Sequence, residues 1–213
     1  MDIITKLNKQ ITTNDTTFLK KVARFIWVQK ILFYSVDLTQ WQPIDLPKMR
    51  LEAKFMLGDQ NDIISLTSNP NLYEAINKTS FFCKKLQTGS KLLLGKHNEE
   101  IVFYLWLVYG QKGLMGKKIN LPSNQVAIEI GFTRKEYRGH GYFIYGLNYL
   151  FTLLKAEGVT SCLTDIATHN LPMTKTALKM GFSTTDSYYY WIHTPFKEYA
   201  LPKGSLTNHF VRQ

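Results

Sequence analysis

The feature that most constrains this chain is a stretch where a strand pattern, a glycine-rich turn and a helix pattern follow one another. From Val126 to Thr133, apolar side chains alternate with small or polar ones, which is the period-two pattern of a β-strand with two unlike faces. From Ile144 to Leu154, apolar residues recur at the spacing of an α-helix. The intervening turn, Arg138-Gly139-His140-Gly141, therefore lies where a helix begins.

This turn has the composition of an anion-binding site. The first amides of a helix have no acceptor within the helix, and the helix dipole places partial positive charge beside them. Glycine lets a ligand approach the backbone closely, so the turn is predicted to bind a phosphate or pyrophosphate group. Nucleotide sites and simple tight connections use similar turns. The dinucleotide spacing G-x-G-x-x-G is absent, because the next glycine after Gly141 is Gly146, and no G-x-x-x-x-G-K-[ST] segment occurs.

The run from Glu136 to Gly141, EYRGHG, resembles the acyl-coenzyme-A-binding motif of the GNAT acyltransferase superfamily, Arg/Gln-x-x-Gly-x-Gly/Ala. A second similar segment follows: a strand pattern at 159–167, then Asn170, then a short helix ending in Met180-Gly181-Phe182. The order of the N-terminal half, including Trp106 on a hairpin strand, resembles GNAT proteins encoded with polysaccharide and surface-glycan synthesis. The resemblance covers about residues 18–185.

The resemblance implies an α/β (α+β) chain with the GNAT fold, in which a mixed, mostly antiparallel sheet is flanked by helices. It also implies that the sheet splays apart after residue 133 and leaves a notch for the pantetheine arm. The element pattern agrees, since strands in hairpins followed by alternating strands and helices predict a mixed sheet with helices on it. We expect one domain over 1–213, with an N-terminal elaboration at about 1–60 and an acyl-coenzyme-A-binding core at about 90–195.

Further elements follow from periodicity, capping and turn residues. The first predicted helix is capped by Asn14 and Asp15 and carries Phe18, Val22, Phe25 and Ile26 on one side. Three more helices are predicted at 59–67, 73–87 and 171–180. Predicted strands are 30–38, 51–56, 91–95, 100–109, 125–133, 159–167 and 183–193, with an antiparallel hairpin turn at 96–99 and an extended connection at 41–47. Residues 111–124 are predicted to form a long loop, which either covers an acceptor site or is a connection without function. The apolar segment 206–211 is predicted to close the sheet.

Composition narrows the class of protein. No apolar run approaches the roughly 20 residues that span a bilayer, and the first 15 residues lack the apolar core of a secretory signal, so we expect a cytoplasmic protein without a transmembrane segment. Cys83 and Cys162 stand in segments without metal-ligand spacing, so neither a bound metal nor a disulfide is expected.

The net charge of +10 favours polyanionic partners, among them coenzyme A, sugar nucleotides, nucleic acid and anionic lipid, although a basic surface can also be without function. The cationic residues are scattered rather than gathered in one dense block, which argues against a dedicated nucleic-acid-binding protein.

The resemblance implies a set of donor-binding positions. They are Phe132, Thr133, Arg138, Gly139, His140, Gly141, Tyr142, Phe143 and Asn170, with backbone amides from Arg138 through Phe143 around the pyrophosphate. One departs from the family pattern, because the family has Gly or Ala where this chain has Phe143. Its side chain either points away from the site or narrows it. Asn170 matches a residue that holds the donor arm, and it can also cap a helix.

Three residues are candidates for accepting a proton from the acceptor amine. Asp165 is preferred, because some GNAT enzymes have an acidic base at this position, and Glu129 lies on the less apolar face of the central strand. Partial burial of either carboxyl group would raise its pKa toward the working range, although each can equally be an ordinary surface or ion-paired carboxylate. His169 has a suitable ordinary pKa, or it is a structural loop residue.

The general acid of the family is missing. The superfamily often has Tyr seven residues after the motif Asn, and this chain has Ala177 there. Tyr142 and the run Tyr188 to Tyr190 are alternative donors, and a thiolate can also leave without one near neutral pH.

Together these features predict an N-acyltransferase that moves an acyl group, acetyl in the first instance, from acyl-coenzyme A to a primary amine by direct attack. The resemblance favours an amino sugar or related small metabolite as acceptor. Two alternatives stay open: acylation of a protein or an aminoacyl-tRNA, and a coenzyme-A-binding regulatory protein without turnover. The acyl length and the oligomeric state, a homodimer included, are also open.

Overall fold

In a computed structural model of the chain, the described residues are 26–68, 79–114, 117–194, 197–205 and 210–212. The predicted helix after Asn14 and Asp15 lies outside them, except for its last apolar residue, Ile26. Residues 73–78 of the helix predicted at 73–87 and residues 206–209 of the last apolar segment also lie outside them.

The described residues form eleven strands and four α-helices. The strands are β1 (Trp27–Asp37), β2 (Lys54–Gly58), β3 (Lys91–His97), β4 (Glu100–Tyr109), β5 (Gln111–Leu114), β6 (Lys117–Asn120), β7 (Gln125–Thr133), β8 (Ser161–Ala167), β9 (Ser183–His193), β10 (Glu198–Lys203) and β11 (Phe210–Arg212). The helices are α1 (Gln60–Ser68), α2 (Thr79–Gln87), α3 (Tyr142–Ala156) and α4 (Leu171–Lys179). No helix in these ranges has both the length and the apolar composition needed to cross a membrane.

Eight strands form the main sheet, in the order β10-β9-β1-β8-β7-β4-β3-β2. Every neighbouring pair is antiparallel except β7 and β8, which are parallel. A second sheet contains β11, β6 and β5. The predicted fold class, a mixed and mostly antiparallel sheet flanked by helices, is confirmed.

The main sheet opens between β7 and β8. Their pairing runs only from Gln125 opposite Ser161 to Ala127 opposite Leu163, although both strands continue for several residues. The splay is therefore present, but it begins after Ala127, inside the strand, rather than after residue 133. A β-bulge accompanies it, because one extra residue of β7 lies opposite β4 between Leu105 and Leu107, and a bulge bends the strand that carries it.

Apolar layers cover both faces of the main sheet. On one face, α3 contributes buried side chains to the largest core cluster, and Ala177 of α4 joins them. On the other face, α1 and α2 pack over β3 and β4 through Ile63, Leu66 and Phe82. Ile119 of β6 lies in a third cluster with residues of β1, β8, β9 and β10. The helix patterns therefore place α3, with the glycine turn before it, against the sheet next to the gap.

Two predictions about the connections were wrong. The loop predicted at 111–124 contains the hairpin of β5 and β6, which are too short and too polar to show an alternating pattern. The described residues of the last apolar segment, Phe210 and Val211, do not close the main sheet, because β11 pairs with β6; among the described strands the main sheet ends at β10, which the sequence pattern did not indicate. The predicted 96–99 hairpin is confirmed, and its turn residues, Asn98 and Glu99, have positive φ angles.

Candidate functional site

The turn before α3 is built on two glycines in the left-handed region. Gly139 and Gly141 both have φ of 82°, a conformation that costs glycine little and other residues more. Gly141 is the N-cap of α3 and provides no side-chain cap for the helix. The amides of Tyr142 and Phe143, the first two of the helix, therefore have no acceptor within the helix.

Five consecutive amides at this turn form no hydrogen bond among the described residues. The amide of Arg138 donates to the Lys135 carbonyl at 3.3 Å, and the amides of Ile144 and Tyr145 both donate to the Gly141 carbonyl. Between them, no backbone acceptor exists within the described ranges for the amides of residues 139–143. The expected cradle therefore begins at Gly139 rather than at Arg138.

A cavity of about 510 Å³ lies against this turn. Its lining includes three cationic side chains that come from two parts of the chain, Lys48 and Arg50 before β2 and Lys179 at the end of α4. The other lining residues are Leu46, Pro47, Gly139, His140, Gly141, Ile144 and Tyr145. Unpaired amides and three cations around one cavity form a site suited to a polyphosphate.

Six of the nine residues expected at the donor site do not line this cavity, and they are Phe132, Thr133, Arg138, Tyr142, Phe143 and Asn170. The Arg138 guanidinium donates through Nε to the Thr133 carbonyl at 3.0 Å and stacks over the Phe132 ring. Phe132 in turn stacks on Tyr104. Tyr142 is buried and its hydroxyl donates to the Leu51 carbonyl at 3.0 Å, and burial raises the pKa of that hydroxyl.

A second cavity, of about 170 Å³, occupies the gap between β7 and β8. It is lined by Ile128, Glu129, Gly131, Phe143, Thr164, Asp165, Ile166, Ala167, Asn170 and Met173. We call it the gap cavity. Both carboxylates proposed from the sequence line it, one on each margin of the gap.

Both oxygens of the Asp165 carboxylate have partners. Its Oδ1 lies 2.7 Å from the Nζ of Lys112, and its Oδ2 accepts a hydrogen bond from the Tyr189 hydroxyl at 2.6 Å. The side chain of Asp165 is 15% exposed and that of Lys112 is 4% exposed. Burial, followed by the neighbouring carboxylate, raises the pKa of Tyr189, so the hydroxyl stays a proton donor in this contact.

Glu129 is held by a different pair of groups on the opposite margin. Its Oε2 forms an ion pair with Lys85 of α2, and its Oε1 accepts a hydrogen bond from the Gly113 amide at 3.1 Å. The side chains of both Lys85 and Glu129 are mostly buried. Each candidate base therefore has one lysine partner and one neutral hydrogen-bond donor.

The other predicted residues at this end of β8 lie at different depths. His169 is exposed, and Gln29 donates to its Nδ1 at 2.9 Å. Asn170 lines the gap cavity and also caps α4, because its Oδ1 accepts from the Met173 amide at 3.2 Å. Both roles considered for Asn170 are thus compatible with the geometry.

Phe143 points into the gap cavity and narrows it. Its ring contacts the Phe103 ring edge-on at a centroid distance of 5.6 Å. A methyl group placed on Gly131 would lie 2.8 Å from the Phe143 ring, so a side chain at that position would require the ring to move. The Phe143 side chain does not line the larger cavity beside the turn.

The sequence did not indicate the cations of this site. Lys112 lay in a predicted loop, and Lys85 sat on a helix with nothing to mark it. Ala177 is fully buried in the core, and Tyr189 is the one member of the Tyr188 to Tyr190 run that contacts a candidate base. No local sequence pattern marks Lys85 or Lys112 as a site residue, because each forms its ion pair with a residue that is distant in sequence.

Comparison by sequence gives no match, either to models of known protein families or to curated proteins. Comparison of structures, by contrast, gives matches. The chain is similar to a GCN5-related N-acetyltransferase from Sphaerobacter thermophilus, with a TM-score of 0.56, 15% identity, and coverage of 91% of this chain and 59% of that one.

Two further solved structures are similar. An acetyltransferase of the GNAT family from Colwellia psychrerythraea has a TM-score of 0.52 and 11% identity, covering 85% of this chain and 62% of that one. A glucosamine N-acetyltransferase region of a fungal multi-domain β-N-acetylglucosaminidase has a TM-score of 0.54 and 14% identity, covering 89% and 23%. The chain spans less than two thirds of each of these three proteins. With its splayed sheet and its glycine turn before α3, the chain has the fold of the GNAT acetyltransferases.

Proposed function

We propose that the protein is an acyl-coenzyme-A-dependent N-acetyltransferase. The observation that carries the proposal is that one helical turn borders two different cavities. Gly141 and Tyr145 line the cationic cavity, whereas Phe143, between them, lines the gap cavity. A ligand with phosphates at one end and an acyl thioester at the other can pass along this turn and reach both.

The residues present fit such a donor. The amides of residues 139–143 would hold a diphosphate, and Lys48, Arg50 and Lys179 would balance its charge. The gap cavity would receive the pantetheine end, with Asn170 on its wall and Phe143 limiting its width. When bound, the donor supplies an acetyl thioester as the electrophile.

Asp165 would act as the proton acceptor for the incoming amine. An ammonium group must lose a proton before its nitrogen can attack, and a carboxylate within hydrogen-bond reach serves this purpose. Asp165 lines the gap cavity and is mostly buried, with Tyr189 and Lys112 fixing its two oxygens. Glu129, on the other margin, is the second acceptor, and His169, which is exposed, would take a proton from Asp165 only by way of solvent.

The acceptor we propose is a small primary amine, with an amino sugar as the first candidate. The support is the sequence resemblance to glycan-associated GNAT proteins and the similarity of fold to the fungal glucosamine N-acetyltransferase region. We also propose that the residues from 1 to 213 form a single domain, with the donor-binding core at about 90–195.

A second candidate function is binding of coenzyme A without turnover. It is favoured by two observations: both carboxylates of the gap are already paired with lysines, and buried Ala177 replaces the family tyrosine. A protein of this kind would use acyl-coenzyme A as a signal rather than as a substrate.

Calorimetry and a thiol-release assay separate the two functions. Acetyl-coenzyme A is titrated into the protein, and release of free thiol is then followed with glucosamine, other amino sugars, amino acids, polyamines and a lysine peptide. The proposal predicts binding together with amine-dependent thiol release. Binding without release by any of these amines favours the regulatory protein, and the absence of binding contradicts both.

A further inference from the structure

The margins of the gap are joined by a strand that belongs to the other sheet. Beyond Ala127 and Leu163 no hydrogen-bonded pairing connects β7 to β8 within the described ranges. The hairpin strand β5 lies across this region, and two consecutive residues of it, Lys112 and Gly113, contact the two margins. We call these two residues the bridge.

Lys112 forms the contact with β8. It is only 3% exposed, and its Nζ lies 2.7 Å from Oδ1 of Asp165 and 3.4 Å from the Ile128 carbonyl on β7. Burial of a lysine is costly unless its charge is paired. A surface hairpin that only covered the sheet would have no reason to place an ammonium group here, so the position of Lys112 indicates a role at the gap.

Gly113 forms the contact with β7. Its amide donates to Oε1 of Glu129 at 3.1 Å. Two consecutive residues of β5 therefore contact opposite margins, Lys112 through its side chain and Gly113 through its backbone amide. Through the bridge, one short strand fixes the orientation of both candidate bases.

We propose that Lys112 is a positioning residue for acyl transfer: it holds Asp165 in place and, with Gly113, keeps the margins of the gap at a fixed separation. This inference rests on the proposed function. Lys112 acts through Asp165 and does not touch the donor. Its loss would release one oxygen of Asp165 and loosen both margins, while leaving the phosphate-binding turn intact.

The test compares Lys112→Met with a matched control, Lys96→Met. Lys96 forms an ion pair of similar length with Asp62, between β3 and α1 and away from the gap, and its side chain is mostly buried, although more exposed than that of Lys112. Hydrogen–deuterium exchange is measured on the full chain for residues 128–133 and 164–167. Lys112→Met should increase exchange in both segments, and Lys96→Met in neither.

Kinetics distinguish positioning from a purely structural role. In the thiol-release assay, Lys112→Met should lower kcat by about tenfold or more, while the Kd for acetyl-coenzyme A changes by less than about twofold. Lys112→Arg, which keeps the charge, should restore most of kcat. Exchange in the gap segments equal to that of Lys96→Met, or a kcat equal to that of the control, overturns the proposal.

Two provisions keep the result clear. If Lys112→Met fails to fold because Asp165 is left buried and unpaired, the double variant Lys112→Met/Asp165→Asn carries no lone charge and should still show faster exchange at both margins. If the unmodified protein releases no thiol with any amine, the proposed function fails, and the exchange data still decide whether the bridge holds the gap.

Discussion

Among single side chains, Asp165 is the one whose replacement should affect acyl transfer most. Asp165→Asn keeps the shape and removes the proton acceptor, so kcat should fall by about 100-fold. The Kd for acetyl-coenzyme A should stay within about twofold, because the carboxylate does not line the cationic cavity proposed to hold the phosphates. Steady-state thiol release and calorimetry measure the two quantities.

Glu129→Gln is the matched comparison, since it makes the same change on the other margin of the gap. A smaller loss of kcat is expected there, which would rank the two acids. Thermal unfolding of both variants is needed as a control, because each substitution leaves a mostly buried lysine without its counter-charge. A fully active and folded Asp165→Asn variant would show that the ion pair with Lys112 is structural alone.

Phe143 should determine which acyl chains the gap accepts. Phe143→Ala removes the ring that limits the cavity and lies against Gly131 and Phe103. The ratio of kcat/KM for butyryl- over acetyl-coenzyme A should rise by about tenfold or more, since a methylene in an apolar pocket is worth about 1–3 kcal/mol. The half-buried site should lose about 1–2 kcal/mol of unfolding free energy. An unchanged ratio would mean that the ring does not contact the acyl group.

The sequence indicated the site residues unevenly, for a physical reason. The glycine turn, Asp165 and Glu129 could be found because local pattern and motif position mark them. The partners of the acids could not, since Lys85 lies 44 positions from Glu129 and no local rule links them. Ion-pair partners distant in sequence become neighbours only once the sheet and the hairpin are in place.

The start of helix α3 can be tested with its two glycines. An alanine at either Gly139 or Gly141 adopts the left-handed conformation at a cost of about 1–2 kcal/mol. At Gly139 the new methyl group meets nothing within 4 Å, whereas at Gly141 it lies 3.0 Å from the Tyr145 ring, which lines the cationic cavity.

Gly141→Ala should therefore weaken acetyl-coenzyme A binding by about tenfold, which corresponds to about 1.4 kcal/mol, and by clearly more than Gly139→Ala does. Calorimetry on the two variants gives the comparison. Equal affinities in both would contradict the placement of the ligand beside Tyr145.

Long elements followed from the sequence and short ones did not. The bounds predicted for β4, β7 and β9 agree with the structure, because each has enough residues for its periodicity to be distinct. The four-residue strands β5 and β6, with sequences QKGL and KKIN, carry no such pattern. Consequently the hairpin that lies against the candidate site was among the elements that the pattern missed.

The stability of the whole chain should decline in acid partly through Asp186. Hydrogen bonds from the Ser205 and Ser187 hydroxyls lower the pKa of this carboxyl below its ordinary value of 3.8. A lowered pKa stabilises the folded state above the unfolded-state value, and that contribution is lost as the pH falls through the folded-state value.

The difference in Tm between the unmodified protein and Asp186→Ala should accordingly be constant near neutral pH and shrink below about pH 3.8. Thermal unfolding followed by circular dichroism from pH 2 to pH 7 measures it. A difference that persists at the lowest pH would show that the aspartate acts by packing rather than by its charge.

The fold of this chain is similar to that of the solved structures described above, although their sequences differ widely. The similar structures reported above share 11–15% identity with this chain, yet the glycine turn, the parallel pair β7 and β8 and the gap between them form here. Such a fold is specified by element order and by burial pattern, which many sequences satisfy. Under the proposed function, the acceptor amine would instead be selected by individual side chains around the gap.

The most direct test of the central claim is a crystal structure of the protein with coenzyme A. We expect the diphosphate to lie within about 3 Å of the amide nitrogens of residues 139–143, and the thiol end to lie in the gap cavity beside Asp165. Coenzyme A bound elsewhere, or strands β7 and β8 paired through to Thr133 with no gap between them, would contradict it.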